Sequence, residues 1–525
     1  MLSLTFYGGV KEIGGNKVLL EEGETALFFD FGTSFARRYQ YFEEYLKPRA
    51  SAGLLDLLEM ELLPPLRGIY RSDLVLNESL WHRFKSFLYY RELAVDGVLL
   101  SHAHIDHSGY ISFLQEDIPI YTTAMSAFVA KAIQDSGVSD FEKEVCYCIP
   151  RERSAGVLQA AQWQKAPAQQ RLFKVFDFQN LTPAAFDFWQ TTPSARGLQA
   201  GLLEPAKGVG SLCLQSFPVD HSIFGATAFA VETSLGWVVY TGDLRLHGRN
   251  GYLSEKFIES AAQLKPAILI CEGTNVESSQ ETVSEEEAYT KALEIIKEAK
   301  ALVIADFGPR NVERLLTFRQ VAEETNRYLV ILAKDAYLLK AMRYVSQEVP
   351  DIKLDKVICI YNDAKARLDK WEEGIRKEYR AKLVTAEEIR NRQDCYILCF
   401  SFFDINELPD IMPQEGSIYI YSSSEAHNEE QAMDFRRLRN WLEHFGMKWI
   451  GLPVEELNWE IPEGERGLHA SGHASSLDLL NLIRNIAPKT LIPIHTENPD
   501  YFVRNLEGTG IEVRLLGYGE RMTFP

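Results

Sequence analysis

The stretch Ser101–Tyr110, "SHAHIDHSGY", decides how the rest of the chain is read. It puts His102, His104, Asp106 and His107 on one short segment of a chain that has 11 histidines in all. The apolar run Val95–Leu100 before it reads as a strand, so the histidines sit on the loop that leaves that strand. In extended backbone, residues two apart face the same side. His102 and His104 can therefore serve one ion, and the Asp106–His107 pair, after the chain turns, a second. Imidazole nitrogen and carboxylate oxygen are the usual donors to zinc and related ions.

One loop does not complete two sites, so the reading moves outward. "ETALFFDFG" is a strand ending in Asp30; "FPVDHS" carries His221, "YTGDLR" Asp243 and "IPIHTE" His495. Singly, each is an ordinary hydrogen-bonded turn residue. Together with HxHxDH they form a set, because polar residues gathered at one edge of a rigid sheet are how a scaffold presents a site.

The bulk properties bound what such a site can do. At 525 residues, two domains are expected. The net charge of −19 argues against non-specific adhesion to nucleic acid, so a polyanionic substrate has to be held by metals or by clustered Arg and Lys. The seven cysteines include no CxxC pair and mostly lie in apolar runs such as "AILICEG", which points to buried thiols and not to a thiolate zinc site. No apolar run is long enough to span a bilayer, and the first residues lack a basic-then-apolar leader, so a cytoplasmic, membrane-free protein is expected.

Short strands and turns run through residues 1–284, interrupted near 36–92 and 125–210 by stretches rich in helix formers and aromatics, read as insertions packing on the shell. The pattern changes at "TVSEEEAYTKALEIIKEAKALVIADFG". Ser284 and Glu287 form a capping box, and helices then alternate with apolar strands at Ala301–Ala305, Tyr328–Ala333, Cys395–Phe400 and Ser417–Tyr421. This predicts a parallel, doubly wound α/β domain over 285–460, with 461–525 returning to the first domain.

With these residues in view, "SHAHIDHSG", "FPVDHS", "YTGDLR" and Asp30 resemble the motifs of metallo-β-lactamase-fold hydrolases. "CEGTN" with Glu272, "LHASGHAS" with His473 and "IPIHTE" with His495 resemble the three further motifs of the β-CASP nucleases, and "GGVKEIGGN" narrows the likeness to the RNase J type of ribonuclease. The resemblance implies an α/β fold, a metallo-β-lactamase αββα sandwich with an inserted β-CASP doubly wound domain. It implies that His102, His104 and His221 hold one divalent ion, that Asp106, His107 and His495 hold another, and that Asp243 bridges them, with zinc the first candidate and manganese the alternative. Asp30 would orient ligands from behind; His469, on the loop of His473, is taken as a second residue of that layer, with a structural hydrogen bond and contact with substrate as the alternatives. Two ions about 3.5–4 Å apart suit phosphodiester hydrolysis. Glu272 and His473 would transfer the leaving-group proton, with Asp106 counted beside them in the catalytic set.

A polyanion needs further donors. Ser423 and Ser424 follow an apolar strand; Ser471 and the N–H of Gly472 precede a helix N-terminus, a natural anion site; Arg310 and Arg314 open another helix, where a solvated face is the alternative. The resemblance suggests that such loops bind RNA phosphates, including a 5′ monophosphate, and a cleft between domains suits a single strand. The expected activity is 5′→3′ exonuclease with endonuclease action as a variant. A β-CASP DNA-repair nuclease, a small-molecule hydrolase of thioesterase or lactonase type, and a non-catalytic binding module are the rivals. Three features depart from the family pattern: "PIHTE" stands for the usual "PVHGE", the chain stops about 30 residues after His495 where members commonly carry a further domain, and the two large insertions have no recognised counterpart. A homodimer is the expected assembly, with protein partners unspecified.

Overall fold

The computed structural model describes residues 1–277, 282–423 and 429–524. Two sheets stack face to face. The first orders its strands Leu203–Pro205, Phe173–Val175, Ile120–Thr122, Gly97–Leu99, Thr25–Phe29, Val18–Glu22, Leu2–Phe6 and Arg521–Phe524. The second orders Gly208–Val209, Leu212–Pro218, Thr227–Thr233, Gly236–Tyr240, Ile268–Glu272, Thr490–Ile494 and Glu512–Val513.

Strand side chains alternate faces, and the alternation here makes two cores out of each sheet. Leu4, Phe6, Leu27, Phe29 and Leu99 meet Val231, Val238, Tyr240, Ile270, Ile492 and Ile494 between the sheets. The opposite residues, Ala228, Ala230, Val239, Leu269 and Leu491, pack on helices Gly251–Leu264 and Ser476–Ile486. On the outer face of the first sheet, Leu19, Phe28, Val98, Leu100 and Ile120 lie under helix Ala124–Ser136 and the 36–92 segment, which contributes Leu57, Leu63, Trp81 and Phe84. The result is the αββα sandwich.

A third sheet is inserted between Ile268–Glu272 and Thr490–Ile494, which are parallel neighbours paired Ile270↔Ile492 and Glu272↔Ile494. It has seven strands in the order Leu383–Val384, Ile358–Tyr361, Tyr328–Ile331, Tyr396–Leu398, Val303–Asp306, Ile418–Tyr421 and Lys448–Ile450. Every pairing is parallel, and both faces are covered, as a doubly wound sheet requires. The capping box of Ser284 and Glu287 starts its first helix, Glu285–Glu298.

The stretch around 125–210 does more than coat the shell. Its strands Phe173–Val175 and Leu203–Pro205 extend the first sheet in parallel beyond Ile120–Thr122. Helix Ala124–Ser136 carries a buried Lys131–Asp135 ion pair, and Asp135 accepts hydrogen bonds from Tyr147 and from Tyr337 of helix Ala333–Arg343, each at 2.9 Å. The segment therefore braces the sandwich against the third sheet's helices. Four cysteines, Cys146, Cys148, Cys271 and Cys399, are buried, whereas Cys213 is exposed. Among the described residues no helix is long and apolar enough to cross a membrane.

Candidate metal centre

Parallel registers place the carboxyl ends of several strands in line: Phe29 pairs with Leu99, Tyr240 with Ile270, and Glu272 with Ile494. Asp30, His102, Asp243, Glu272 and His495 are at or just past those ends, and His221 follows Leu212–Pro218 at the same edge. His104 is the extended N-cap of the short helix Ile105–Ser108, so Asp106 and His107 fall on that helix and turn away from His102 and His104. The loop can approach this closely because Gly32 has no side chain; a Cβ there would stand 1.6 Å from the Asp106 carbonyl oxygen.

The donor atoms converge. His104 Nδ1 lies 3.0 Å from His102 Nε2 and 3.1 Å from His221 Nε2. Asp106, His107, Asp243 and His495 form a second group, with His495 Nε2 3.2 Å from Asp106 Oδ2. Asp243 Oδ2 belongs to both: it is 2.9 Å from His107 Nε2, 3.7 Å from His495 Nε2 and His102 Nε2, and 3.9 Å from His221 Nε2.

Behind the donors runs a hydrogen-bonded layer that fixes ring orientation. Asp30 Oδ2 is 2.6 Å from His107 Nδ1 and accepts from Ser101 Oγ and from Tyr240 Oη, which reaches across from the facing sheet. His221 Nδ1 donates to the Gly472 carbonyl at 2.5 Å. His102 Nδ1 is 3.0 Å from Ser101 Oγ. Asp30 and His495 both have left-handed backbone, φ 53° and 55°, a strain that persists where surroundings over-determine it.

Burial favours the neutral, donor form at three of the histidines. Burial holds His102 and His221 well below the ordinary imidazole range, with neighbouring histidines adding to it, and brings His104 down to about 4. At His107 burial opposes the cation, but Asp243, Asp106 and Asp30 override it and raise the group well above its usual value. At Asp243 burial opposes ionisation, and His107 and His495 override that in turn. The carboxylates thus demand positive charge here. The buried Asp243 Oδ1 has no hydrogen-bond partner among the described residues, although Asp243 belongs to two of the donor groups. This donor set fits divalent metal ions.

Glu272 and His473 stand beside it. His473 Nδ1 is 3.0 Å from Glu272 Oε2 and 4.0 Å from Asp243 Oδ2. Glu272 Oε1 accepts from the Leu244 amide at 2.8 Å, so the carboxylate also steadies the backbone that follows Asp243. Burial would lower His473, but Glu272 and Asp243 raise it to about 9.

The expected phosphate contacts separate. Arg314 is buried at 1% exposure and ion-paired with Glu285, and it donates to the Ser422 and Leu468 carbonyls, each at 2.8 Å. It is a joint and not a substrate contact. Arg245 joins the same network, pairing with Asp220, Glu285 and Glu313 and donating to the Ser471 carbonyl. The loops bearing His221, Asp243 and His473 are thereby tied to the first turns of helices Glu285–Glu298 and Val312–Glu324. Because removing one partner of a buried pair strands the other, Arg314→Ala is expected to cost about 3–5 kcal/mol in urea denaturation of the whole chain. A loss below ~1 kcal/mol would mean that the joint carries no strain-bearing contact.

His469 also departs from expectation. Its Nδ1 lies 2.6 Å from the Ser423 carbonyl and its ring beside Tyr421, so it ties its loop to the third sheet and orients no metal donor. Gly472 offers its carbonyl to His221, and Ser471 Oγ accepts from Asn275 and the His473 amide, so both build the histidine loop. Ser423 is partly exposed at the end of its strand; Ser424 lies outside the described residues. Arg310 is half-buried before helix Val312–Glu324, and among the described residues its guanidinium has no hydrogen-bond or ion-pair partner, while it interacts electrostatically with Asp106 and His104. The sequence reading missed Ser101, Tyr240, Arg245 and Thr274. All four lie inside quoted motifs, Ser101 in "SHAHIDHSG", Tyr240 and Arg245 in "YTGDLR" and Thr274 in "CEGTN", beside the residues that drew attention.

Comparison with known proteins points the same way. Residues 465–516 match the family model of the Zn-dependent metallo-hydrolase RNA specificity domain. The chain is 24% identical over 306 residues to Ribonuclease J of Sinorhizobium meliloti, covering 55% of this chain and 47% of that one. It is 20% identical to Ribonuclease J of Helicobacter pylori 26695, covering 63% of this chain and 36% of the relative, so it spans half or less of these two proteins. With Ribonuclease J of Mycolicibacterium smegmatis the match is 22% over 94% of this chain and 68% of the relative. Among solved structures, a protein of unknown function from Enterococcus faecalis V583 superposes with a TM-score of 0.66 at 22% identity, over 99% of both chains.

Proposed function

We propose that this chain, which has the metallo-β-lactamase and β-CASP architecture and resembles the RNase J type of ribonuclease, is a metal-dependent ribonuclease that hydrolyses phosphodiester bonds of single-stranded RNA. The observation that carries the reading is the Glu272–His473 pair set against Asp243, 4.0 Å from His473, on the rim of two adjoining donor groups. Ester hydrolysis by a thioesterase or lactonase has no need of that pair.

Five imidazoles and two carboxylates supply the two ion positions, a donor set that suits zinc ahead of manganese. When bound, two such ions neutralise the scissile phosphate and activate the attacking water. The rest is the work of the chain. Asp243 spans both positions. His473, with Nδ1 turned to Glu272, presents Nε2 to the leaving oxygen and hands it a proton. Arg310, which has no ion-pair partner among the described residues and feels the charge of Asp106, takes a phosphate oxygen. The 5′→3′ direction, with endonuclease action as the variant, and a cytoplasmic location are carried over from the RNase J likeness.

The test is a time course on one single-stranded RNA labelled at its 5′ end, as 5′-monophosphate and 5′-hydroxyl, with a matched DNA and a thioester beside it. Monophosphate-dependent release of labelled mononucleotide supports the reading; discrete internal fragments make the endonuclease action primary. Cleavage of DNA alone, or of the thioester alone, overturns it. Arg310→Ala in the same assay should raise KM by roughly tenfold or more, the worth of a charge-assisted hydrogen bond, with kcat changed far less. An unchanged KM removes Arg310 from the substrate path.

A further inference from the structure

Thr274 has its hydroxyl at the meeting point of three functional side chains. Oγ1 lies 2.7 Å from Glu272 Oε2, 2.9 Å from His495 Nδ1 and 3.1 Å from His473 Nδ1. A hydroxyl has one proton to give and two lone pairs to offer. A carboxylate oxygen only accepts, so the Thr274 proton goes to Glu272. Both imidazole contacts then require an N–H pointing at the threonine oxygen. His495 therefore carries its proton on Nδ1 and leaves Nε2 bare, and Nε2 is the atom 3.2 Å from Asp106 Oδ2 and 3.7 Å from Asp243 Oδ2. His473 likewise carries a proton on Nδ1, shared between Thr274 and Glu272 Oε2 at 3.0 Å, so the proton it gives the leaving group is a second one, on Nε2 of the imidazolium.

The other histidines are oriented differently. His107 leans on the Asp30 carboxylate, His221 on the Gly472 carbonyl and His102 on Ser101. His495 has the Thr274 hydroxyl, and behind it the charge of Glu272. The left-handed backbone of His495, anchored by its amide to the Gly9 carbonyl at 2.7 Å, fixes where the ring begins. A tautomer is the position of a proton, and backbone geometry does not set it.

We propose that Thr274 is a positioning residue that relays the Glu272 carboxylate to His495, fixing the His495 tautomer for the second ion while the same hydroxyl steadies His473. The inference rests on the reading of His495 as a donor to that ion. It makes the acid–histidine pair and the metal centre one hydrogen-bonded unit, so that a change at Glu272 is felt at the ion held by Asp106, His107 and His495.

Zinc titration of the metal-stripped whole chain against a chromophoric chelator tests this without reference to activity. Thr274→Val keeps the branched shape and removes the hydroxyl. It should weaken one of two zinc ions by ~10–100-fold, the usual cost of losing a ligand's hydrogen-bond partner, and leave the other at wild-type affinity. Thr274→Ser should bind both as wild type does. Glu272→Gln, which removes the relayed charge, should weaken the same ion and serves if the valine variant does not fold. Equal binding of both ions by wild type and Thr274→Val overturns the relay alone, as does a serine variant as weak as valine. A wild type that binds fewer than two zinc ions overturns the two-ion reading and the relay with it.

Discussion

His473→Ala is expected to slow turnover by roughly 10²–10⁴-fold, the range over which a positioned proton donor acts, while the chain still binds two ions. Both halves of that result matter. His473 is a member of a third donor group, with Asp243, Glu272 and His495, whose atoms all lie within 4.8 Å of one another. Geometry alone would let it serve as a ligand. Its Nδ1, however, is already engaged by Glu272 at 3.0 Å and Thr274 at 3.1 Å, and it stands 4.0 Å from the shared Asp243 oxygen. Its side chain is also 20% exposed, against 2% or less for His102, His107, His221, Asp243 and His495. That exposure, which Asp106 shares, leaves His473 able to meet substrate, as a proton donor must. Metal analysis of the variant beside single-turnover kinetics separates the roles. Loss of one ion with the activity would make His473 a ligand.

Asp243→Asn is expected to abolish cleavage and to weaken both ions by more than the ~100-fold that losing a ligand's supporting partner costs. The amide keeps the shape and removes the charge. In the wild-type chain one oxygen, Oδ2, serves both groups of histidines at 2.9–3.9 Å. No other carboxylate described in the site has that reach: Asp106 Oδ2 lies near His107 and His495 only, at 3.6 and 3.2 Å. His102→Ala, by contrast, should cost a single ion. If Asp243→Asn binds one zinc normally in the same titration, the carboxylate belongs to one position and the bridge is wrong.

The donors were legible because His102, His221, Asp243 and His495 follow strands and His104, Asp106 and His107 share the loop of His102, and neighbouring strand ends bring such residues together whatever their separation in sequence. The capping box at Ser284 and Glu287 was legible for a local reason: both partners lie within one turn. Arg310 and Arg314 read alike, as charges opening one helix. What separates them is Glu285, 29 residues away from Arg314, and no local pattern announces a partner at that distance. The readings of His469 stay open in the sequence for the same reason, its partner being a carbonyl across a loop. Strands Ile358–Tyr361, Leu383–Val384 and Lys448–Ile450 are short members toward the margins of the third sheet, with too few residues for a period to stand out. Hydroxyls such as Ser101, Tyr240 and Thr274 act by aiming one proton, which leaves no trace in spacing.

Strands Ile268–Glu272 and Thr490–Ile494 lie side by side, yet the whole third sheet is encoded between them. A chain emerging from the ribosome folds from its N-terminus, domain by domain. Six of the seven donors, from His102 to Asp243, are out before that sheet is made, and His495 comes only after it. The nascent protein therefore carries an unfinished second ion position for as long as the inserted sheet is being translated. Pairing across so wide an interval is intrinsically slow, which makes docking of the last central strand the step that arms the centre. On the proposed reading, the centre gains its last donor only after residue 495 has been made and its strand has docked.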